Sequence, residues 1–382
     1  MSIKPIYLDY AATTPVLPEV MASMEEALSF EACFGNPHSA HDYGTAAAEI
    51  VQGAQRDLAD LLGAAPNEII YTSGATEANN LALQGAAYFY QQRGKHIISV
   101  KTEHKAVLEV LQFLERQGFS VTYLPVDSEG LIALQDLEQA LRPDTILTSV
   151  MLVNNETGVI QPIAAIAEIL KAKGVLLHVD AAQALGKIPV KVSELKAGLI
   201  SFSGHKIYGP KGIGALYVQT KPKIHLRPLM YGGGQQQGLR PGTQAPFLVQ
   251  GLTQAAKTVI QDLAEESTRI LTLKERLWEG LSALSPNIQL NSPFSHSVAQ
   301  ICNVTFKGMD GEMLMNEIQN TLAVAQGSAC NSTHIEPSHV LRAMGIKQQD
   351  AHSSIRFSFG RYTTLADIDA VIKVFRAFYL HV

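Results

Sequence analysis

Residues 201–217 hold a lysine in a setting that suits covalent chemistry. They read Ser-Phe-Ser-Gly-His-Lys-Ile-Tyr-Gly-Pro-Lys-Gly-Ile-Gly-Ala-Leu-Tyr, so a β-strand ends, a polar turn presents Ser203, His205 and Lys206, and a glycine-rich turn leads into a returning strand. A lysine fixed on such a turn can form a Schiff base, because burial beside positive charge or apolar walls lowers its pKa and frees the amine. Ser203 and His205 would add donors for a phosphate group. Lys211 stands between proline and glycine, and we expect it on the surface of the turn.

An acidic residue follows a buried apolar strand in residues 175–183, Val-Leu-Leu-His-Val-Asp-Ala-Ala-Gln. A carboxylate at Asp180 must be hydrogen-bonded or paired with a cation, since an isolated buried charge is too costly. A pyridinium nitrogen would satisfy it, and Asp180 would keep such a ring protonated so that the ring can accept electrons. Gln183 could then reach the phenolic oxygen of the ring. On this segment alone, a magnesium ligand or a helix-capping aspartate is an equally good interpretation.

A turn of small residues opens a helix in residues 72–80, Thr-Ser-Gly-Ala-Thr-Glu-Ala-Asn-Asn. Backbone amides at Gly74, Ala75 and Thr76, together with the positive end of the helix dipole, can cradle a phosphate group. Alone, this segment favours the simpler interpretation of a Ser/Thr helix cap. An Asp at a strand end followed along the chain by Ser-x-x-Lys is a stronger signal than any of its parts.

The elements that must position these residues alternate along the middle of the chain. The predicted strands are 69–72, 96–100, 121–124, 146–153, 175–179 and 199–202. The predicted helices between them are 76–92, 105–117, 134–141 and 163–173. Such alternation predicts a mostly parallel sheet with helices on both faces, in which ligands bind beyond the carboxyl ends of the strands.

The pattern changes after about residue 245. Residues 247–284 read as one long helix, rich in Ala, Leu, Lys and Glu, that connects two parts of the chain. Beyond it the predicted elements are strands 299–306, 322–325 and 354–358 and helices 309–319 and 365–379. Alternating apolar residues in these strands indicate antiparallel pairing, and the whole predicts a smaller α+β domain.

Composition excludes several classes of protein. Hydrophobic residues make up 46% and charged residues 17% of the 382 residues, and no uncharged apolar run approaches the ~18 residues that indicate a membrane span. A net charge of -5 gives no general basic surface for direct nucleic-acid binding. The first residues lack an apolar signal region, so we expect a cytoplasmic protein. The widely spaced Cys33, Cys302 and Cys330 indicate neither a disulfide framework nor a zinc site.

Seven segments form a joint pattern: residues 7–15 (YLDYAATTP), 34–38 (FGNPH), 72–77 (TSGATE), 102–105 (TEHK), 153–158 (VNNETG), 178–183 (HVDAAQ) and 203–212 (SGHKIYGPKG). This pattern closely resembles the NifS-like cysteine desulfurases, in the class V branch of the fold type I pyridoxal-phosphate (PLP) enzymes, and it extends from Tyr7 to about Tyr362. The resemblance implies a mostly parallel seven-stranded sheet in a large PLP-binding domain, residues 16–257. It also implies a smaller α+β domain, residues 1–15 with 258–382, that carries a nucleophilic cysteine loop.

The resemblance also assigns roles in holding PLP. Lys206 would hold PLP as a Schiff base, His104 would stack on the ring and move protons, and Asp180 and Gln183 would tune the ring. The implied phosphate ligands are Gly74, Ala75, Thr76, Ser203 and His205. Arg240-Pro-Gly-Thr243 matches a segment whose threonine reaches the phosphate in the partner subunit, which implies a homodimer with shared active sites. Pro241 stands where the family commonly has a small polar residue.

The family's nucleophile falls on Cys330, in residues 327–332, Gly-Ser-Ala-Cys-Asn-Ser. A thiol in such a small, polar stretch can reach a substrate sulfur. Cys302 lies instead in an alternating strand, which predicts a core position, and Cys33 is left undecided. The Gly-Ser-Ala-Cys loop resembles the long-loop group, although Ala325 and Gln326 precede it where serines are common.

Arg356 is the candidate for substrate recognition. It lies in a predicted strand, where a guanidinium without a bidentate partner would be unusual. A substrate carboxylate provides such a partner, and the family pattern agrees, with Asn155 as a second contact. The alternative is a structural pair between Arg356 and a carboxylate of the chain.

The activity that the resemblance implies is removal of sulfur from L-cysteine, which leaves L-alanine and a persulfide on Cys330. A protein acceptor of unknown identity would take the sulfur, for iron-sulfur cluster assembly, tRNA thiolation or DNA phosphorothioation. Housekeeping members continue past the position of Val382 into a tail that docks the iron-sulfur scaffold protein, so the resemblance leaves scaffold binding open. A selenocysteine lyase or another class V PLP enzyme is the nearest alternative. A non-catalytic sulfur-relay subunit is a further one, against which Lys206, Asp180, His104 and Cys330 argue together.

Overall fold

A computed structural model describes residues 4–31, 33–326 and 337–381. The strands in these ranges are β1 (Ile6–Tyr7), β2 (Ile69–Thr72), β3 (His96–Val100), β4 (Ser120–Leu124), β5 (Thr145–Met151), β6 (Leu176–Asp180), β7 (Leu199–Ser203), β8 (Gly214–Val218), β9 (Ile288–Leu290), β10 (Ile301–Phe306), β11 (Leu322–Ala323), β12 (Ala325–Gln326) and β13 (Ser354–Ser358). The helices are α1 (Pro18–Glu25), α2 (Asp42–Leu62), α3 (Ala75–Tyr90), α4 (Lys105–Arg116), α5 (Leu134–Ala140), α6 (Ile163–Lys173), α7 (Val192–Leu195), α8 (Pro246–Gln261), α9 (Leu263–Ser282), α10 (Gly311–Ile318), α11 (His339–Ala343), α12 (Gln348–His352) and α13 (Leu365–His381). Within the described ranges, none of these helices is both long enough and apolar enough to cross a membrane.

The central sheet of the described chain has seven strands in the order β2-β8-β7-β6-β5-β3-β4. Strand β8 is antiparallel to both of its neighbours, and the other pairings are parallel. The predicted mostly parallel, seven-stranded sheet is therefore confirmed. The six strands predicted for the middle of the chain all form, with ends that differ by at most two residues from the prediction.

Each strand of this sheet contributes to two cores, because successive side chains point to opposite faces. In β2, Ile69 and Tyr71 pack into one core, to which α1, α2 and α8 also contribute. Ile70 packs into the other core, with α3 and α4. Burial on both faces explains why these strands read as nearly continuous apolar runs.

A smaller sheet follows in the C-terminal part, in the order β12-β13-β10-β9, with antiparallel pairings. Helices α9 and α13 cover it, and the rings of Phe306 and Phe375 stack with centroids 4.8 Å apart. Strand β1 pairs in parallel with β11, which joins the start of the chain to this region. The result is the α+β arrangement predicted for the C-terminal part.

Two predictions for the C-terminal half are wrong in detail. Residues 247–284 do not form one helix, since Asp262 has φ -89° and ψ 0° and divides the segment into α8 and α9. Aspartate is a weak helix former, and the Asp262 carboxylate is 2.8 Å from the Arg361 guanidinium. Residues 322–325 also do not form one strand, because β11 pairs with β1 whereas β12 pairs with β13.

Candidate active site

The carboxyl ends of the parallel strands open onto one cavity of about 720 Å³. The turn after β1 and the strand β13 supply its opposite wall, through Ala11, Ala12 and Arg356. Among the predicted site residues that the structure describes, all line this cavity except Thr243. Residues far apart in the chain are thus brought together where an α/β sheet binds its ligands.

Lys206 enters the cavity from the turn that follows β7. Its Nζ donates to the carbonyl oxygens of Ala11 and Ala12, each at 2.7 Å. Burial lowers the pKa of Lys206 to about 8, and the Arg356 guanidinium adds to this effect. The amine therefore loses its proton more readily than an ordinary lysine, as Schiff-base formation requires.

Asp180 ends β6, and only 3% of its surface is exposed. Its Oδ2 accepts from Asn79 Nδ2 at 2.7 Å and its Oδ1 accepts from the Ala182 N–H at 2.9 Å. Each oxygen has a donor, as a buried carboxylate needs. Gln183 donates from Nε2 to the Ala11 carbonyl at 2.8 Å, while its buried Oε1 finds no hydrogen-bond partner in the described part of the chain.

The N-terminus of α3 also faces the cavity. Gly74 precedes the helix with φ +154°, a conformation that favours glycine. Ser73, Ala75 and Thr76 line the cavity, and the first N–H groups of a helix have no acceptor within the helix itself. This end of α3 is therefore suited to an anion.

Ser203 and His205 line the cavity together with Lys206. The Nδ1 atom of His205 is 3.2 Å from Thr13 Oγ1. Burial, followed by the charges of Lys206 and Lys211, lowers the pKa of His205 to about 4. Its ring is thus neutral near pH 7. Lys211 is exposed, as expected, and also borders the cavity.

His104 caps α4, with its Nδ1 accepting from the Ala106 N–H at 3.0 Å. In the neutral ring, Nε2 then carries the proton. The ring is accessible from the cavity, yet the surrounding protein desolvates it enough to lower its pKa. A neutral imidazole in this position can exchange a proton with a group in the cavity.

Arg356 reaches the cavity from β13. Its Nη1 donates to the Asn155 carbonyl at 2.8 Å, and its Nη2 donates to Asp9 Oδ1 at 2.7 Å. The pair with a carboxylate of the chain, considered as the alternative, is thus present. Within residues 4–31, 33–326 and 337–381 the buried Nε has no hydrogen-bond partner, and 11% of the Arg356 side chain is exposed.

Thr243 is exposed and lies outside the wall of the cavity of its own chain. Arg240, in the same segment, pairs with Glu77 of α3 at 2.9 Å, which tethers the segment beside the phosphate cradle. Burial opposes ionisation of Glu77, but hydrogen bonds from Arg240 and Ser73 outweigh it and lower the pKa of Glu77. The expected role of Thr243 in a partner subunit stays a prediction.

Cys330 lies outside the described residues, so its role also stays a prediction. The described residues on both sides of it in the chain, Ala325 and Gln326 before it and His339 after it, line the cavity. His339 Nε2 is 2.9 Å from the Glu103 carbonyl oxygen.

Four features of the site were missed from the sequence: the Asn79 donor, the Ala11 and Ala12 carbonyls, the Asp9 partner of Arg356, and Glu103. Burial raises the pKa of Glu103 well above its usual range, and its Oε1 accepts from the Met151 N–H at 2.6 Å. Asp9, Ala11, Ala12 and Glu103 stand inside segments that carry the family pattern, and Asn79 stands two residues past one of them. The local sequence does not reveal which distant groups these residues contact.

Comparison with known proteins agrees with this geometry. The family model described as aminotransferase class-V matches residues 6–371. A cysteine desulfurase IscS of Serratia proteamaculans is 51% identical over 97% of this chain and 92% of its own length. A solved NifS-like protein has a TM-score of 0.92 and 35% sequence identity to this chain, and the match covers 100% of both chains. The solved structure of SspA in complex with cysteine has a TM-score of 0.84 and 38% sequence identity, and the match covers 95% of this chain and 100% of SspA. The chain therefore belongs to the class-V aminotransferase family and, within it, to the NifS-like cysteine desulfurases.

Proposed function

We propose that this chain is a cysteine desulfurase that uses PLP to move sulfur from L-cysteine to Cys330 and releases L-alanine. One observation carries the proposal: the Lys206 amine, the Asp180 carboxylate and the Arg356 guanidinium line a single cavity. The relative named cysteine desulfurase IscS, 51% identical over nearly the whole chain, supports the same activity.

The residues of the cavity fit PLP. Gln183 lines the cavity, and its amide, whose buried Oε1 has no partner among the described residues, can present a polar group to the phenolic oxygen of the ring. The carboxylate of Asp180 suits a protonated ring nitrogen, and the N-terminus of α3 suits the phosphate. When bound, PLP supplies an electron-withdrawing ring that stabilises negative charge on the carbon atoms next to the substrate nitrogen.

Different residues would hold different parts of the cofactor. Lys206 bonds it covalently, helped by a pKa of about 8. Asp180 holds the proton of the ring nitrogen. The phosphate ligands are Gly74, Ala75, Thr76, Ser203 and His205, joined by Thr243 of the partner subunit.

Arg356 would bind the carboxylate of L-cysteine, with Asn155 as a second contact. Its side chain borders the cavity, so the guanidinium can form a charge-assisted hydrogen bond with this carboxylate in addition to the one with Asp9. A related protein, SspA, has been solved in complex with cysteine, which supports the same substrate here.

His104 would hold and move a proton at Nε2, since its Nδ1 is occupied by the Ala106 N–H. Cys330 follows Gln326 by four residues, which span at most roughly 14 Å, so its thiol is within reach of the cavity that Gln326 lines. The Cys330 thiolate attacks the sulfur of the bound cysteine. An S–S bond forms, the Cβ–S bond breaks with its electron pair staying on carbon, and that carbon takes up a proton and leaves in alanine.

We further propose a homodimer with shared sites and a protein sulfur acceptor, with the large domain at residues 16–257 and the small domain at 1–15 with 258–382. An exposed aromatic patch supports a second copy as partner: Phe30 and Phe34 stack with centroids 5.4 Å apart, and Phe30 is 68% exposed. Burial of such a patch against another subunit would be favourable.

The test compares three variants of the PLP-reconstituted protein, supplied with sulfur-labelled L-cysteine. We expect Cys330→Ala to keep the visible absorbance of the bound cofactor but to lose both protein-bound label and alanine release. Lys206→Ala should lose the absorbance, and the control Cys33→Ala should keep everything. Label retained in Cys330→Ala would contradict the assigned nucleophile, and failure to bind PLP would contradict the function.

A further inference from the structure

A second cavity, of about 30 Å³, lies behind Lys206. Lys206 belongs to the wall of this cavity and to the wall of the main cavity. The small cavity is called the rear chamber here, and its other polar wall residues include Lys187, Gln300 and Arg361. None of these three belongs to the site described above.

Three buried atoms of the rear-chamber wall have no hydrogen-bond partner among the residues that the structure describes: Lys187 Nζ, Gln300 Oε1 and Arg361 Nε. A chamber of this volume can hold one water molecule. A single water can accept from Arg361 Nε–H and donate to both Gln300 Oε1 and the neutral amine of Lys187, so it satisfies all three atoms and keeps one lone pair for Lys206. A chloride ion would leave Gln300 Oε1 without a donor, so water is the better occupant.

No group around the rear chamber in the described part of the chain forms an ion pair with Lys187. The titratable and charged groups that line the rear chamber or interact electrostatically with Lys187 are Lys206, Arg356, Arg361, Glu266, His205, Tyr10 and Tyr208. Glu266 pairs with Arg269 at 3.0 Å, and Arg361 pairs with Asp262 at 2.8 Å. Burial raises the pKa of both tyrosines and lowers that of His205, which leaves these rings neutral near pH 7.

Lys187 and Lys206 are therefore two buried amines with coupled titrations. Burial lowers the pKa of Lys187 to about 7, and the charges of Lys206 and Arg356 add to the effect. The pKa of Lys206 is lowered to about 8. When two like charges interact in this way, loss of the proton from one amine makes the other a stronger base.

We propose that Lys187 is a positioning residue that stores, through the water of the rear chamber, the proton that Lys206 gives up. Between pH 7 and 8, Lys187 is neutral while Lys206 is charged, and when Lys206 becomes neutral in order to bond the cofactor, Lys187 takes up a proton. One proton passes from Lys206 Nζ to the water and one proton of the water passes to Lys187 Nζ, so atoms and total charge balance. The catalytic meaning of this exchange rests on the proposed function, whereas the proton sharing itself does not.

The test uses the cofactor-free full chain, labelled with carbon-13 at lysine Cε, because the chemical shift of this atom follows protonation of the amine. The Lys187→Met variant identifies the Lys187 signal. In the unchanged protein we expect Lys187 to titrate near pH 7, as its pKa of about 7 indicates. In Lys206→Met the neighbouring charge is absent, so the Lys187 midpoint rises by about half to one pH unit.

A second variant and a control keep the test decisive. Arg356→Gln removes the other charge that opposes protonation of Lys187, so it also raises the midpoint. Lys191→Met should leave the midpoint unchanged, because Lys191 donates to the Leu61 carbonyl at 2.7 Å and does not line the rear chamber. An unmoved Lys187 midpoint in both Lys206→Met and Arg356→Gln, or a dry rear chamber in a high-resolution crystal structure, overturns the proposal. A coupled titration in a protein that neither binds PLP nor consumes cysteine would overturn the proposed function alone.

Discussion

The guanidinium of Arg356 donates to the Asp9 carboxylate at 2.7 Å, although 347 positions separate the two residues in the chain. Both also act on Lys206. Burial is the main cause of the lowered Lys206 pKa, Arg356 lowers it further, and Asp9 opposes the shift. One ion pair therefore couples the expected carboxylate-binding group to the amine expected to hold the cofactor.

The first prediction concerns the pH dependence of PLP reconstitution. The neutral amine is the nucleophile, so the rate of Schiff-base formation should rise as pH increases through the Lys206 pKa of about 8. Arg356→Gln removes a positive neighbour, which raises that pKa and moves the midpoint to higher pH. Asp9→Asn removes a negative neighbour and moves the midpoint to lower pH. Stopped-flow measurement of the visible absorbance gives the midpoints.

Arg276→Gln is the matched control for this series. Its guanidinium is exposed and pairs with Asp369 on the surface, so the midpoint should stay where it is. Shifts of the same sign in Arg356→Gln and Asp9→Asn would contradict the opposing charges.

The second prediction concerns substrate recognition by Arg356. Arg356→Lys keeps the charge but loses the planar fork that binds a carboxylate through two hydrogen bonds. One charge-assisted hydrogen bond is worth about 1.5–3 kcal/mol, so kcat/KM for L-cysteine should fall roughly 10- to 100-fold, mainly through KM. Alanine release against cysteine concentration measures this effect, with the cofactor absorbance as a check on PLP content.

The exposed Arg276→Lys serves as the control for this substitution and should leave both parameters unchanged. A KM that is the same in Arg356→Lys and in the unchanged protein would exclude Arg356 as the carboxylate ligand.

The sequence predicts most of the central sheet but few of the side-chain contacts within the site. Strands such as β2 and β3 match the predicted bounds because they are buried on both faces and their residues are mostly apolar. Helix α2 is absent from the predicted elements, although His41 caps its start and Gly63 ends it in a left-handed conformation, and the break at Asp262 is not predicted either. The side-chain roles depend on the chemistry of distant partners, as with Asn79 and Asp180, which are 101 positions apart. A local pattern can mark such residues as important without showing what they touch.

The third prediction concerns the hydrogen bond between Asn79 and Asp180. Asn79→Ala removes the donor to Asp180 Oδ2 in a buried setting, and a buried acceptor left without its donor costs about 1–3 kcal/mol. The free energy of unfolding of the cofactor-free protein should fall by that amount in urea titrations. Asn80→Ala, on the same helix, removes an exposed hydrogen bond to the Thr76 carbonyl and a part-buried one from Gln84 Nε2. It should change stability by about 0.5 kcal/mol or less. Equal losses in the two variants would contradict a special role for the buried bond.

The fourth prediction separates the two described cysteines by their reactivity. Cys302 is fully buried in β10, which confirms its predicted core position, and burial raises the pKa of its thiol to about 11. Only the thiolate reacts, so about one in a thousand Cys302 thiols is reactive near pH 8.

Cys33 is partly exposed. In a Cys330→Ala background, iodoacetamide should therefore modify Cys33 and spare Cys302, and urea should make Cys302 reactive as the core opens. Peptide mass spectrometry after timed alkylation measures both sites. If Cys302 of the folded protein were alkylated as fast as Cys33, its burial among the apolar side chains of β10 would be wrong, and the sulfur-labelling test would need a Cys302 variant before bound label could be assigned to Cys330.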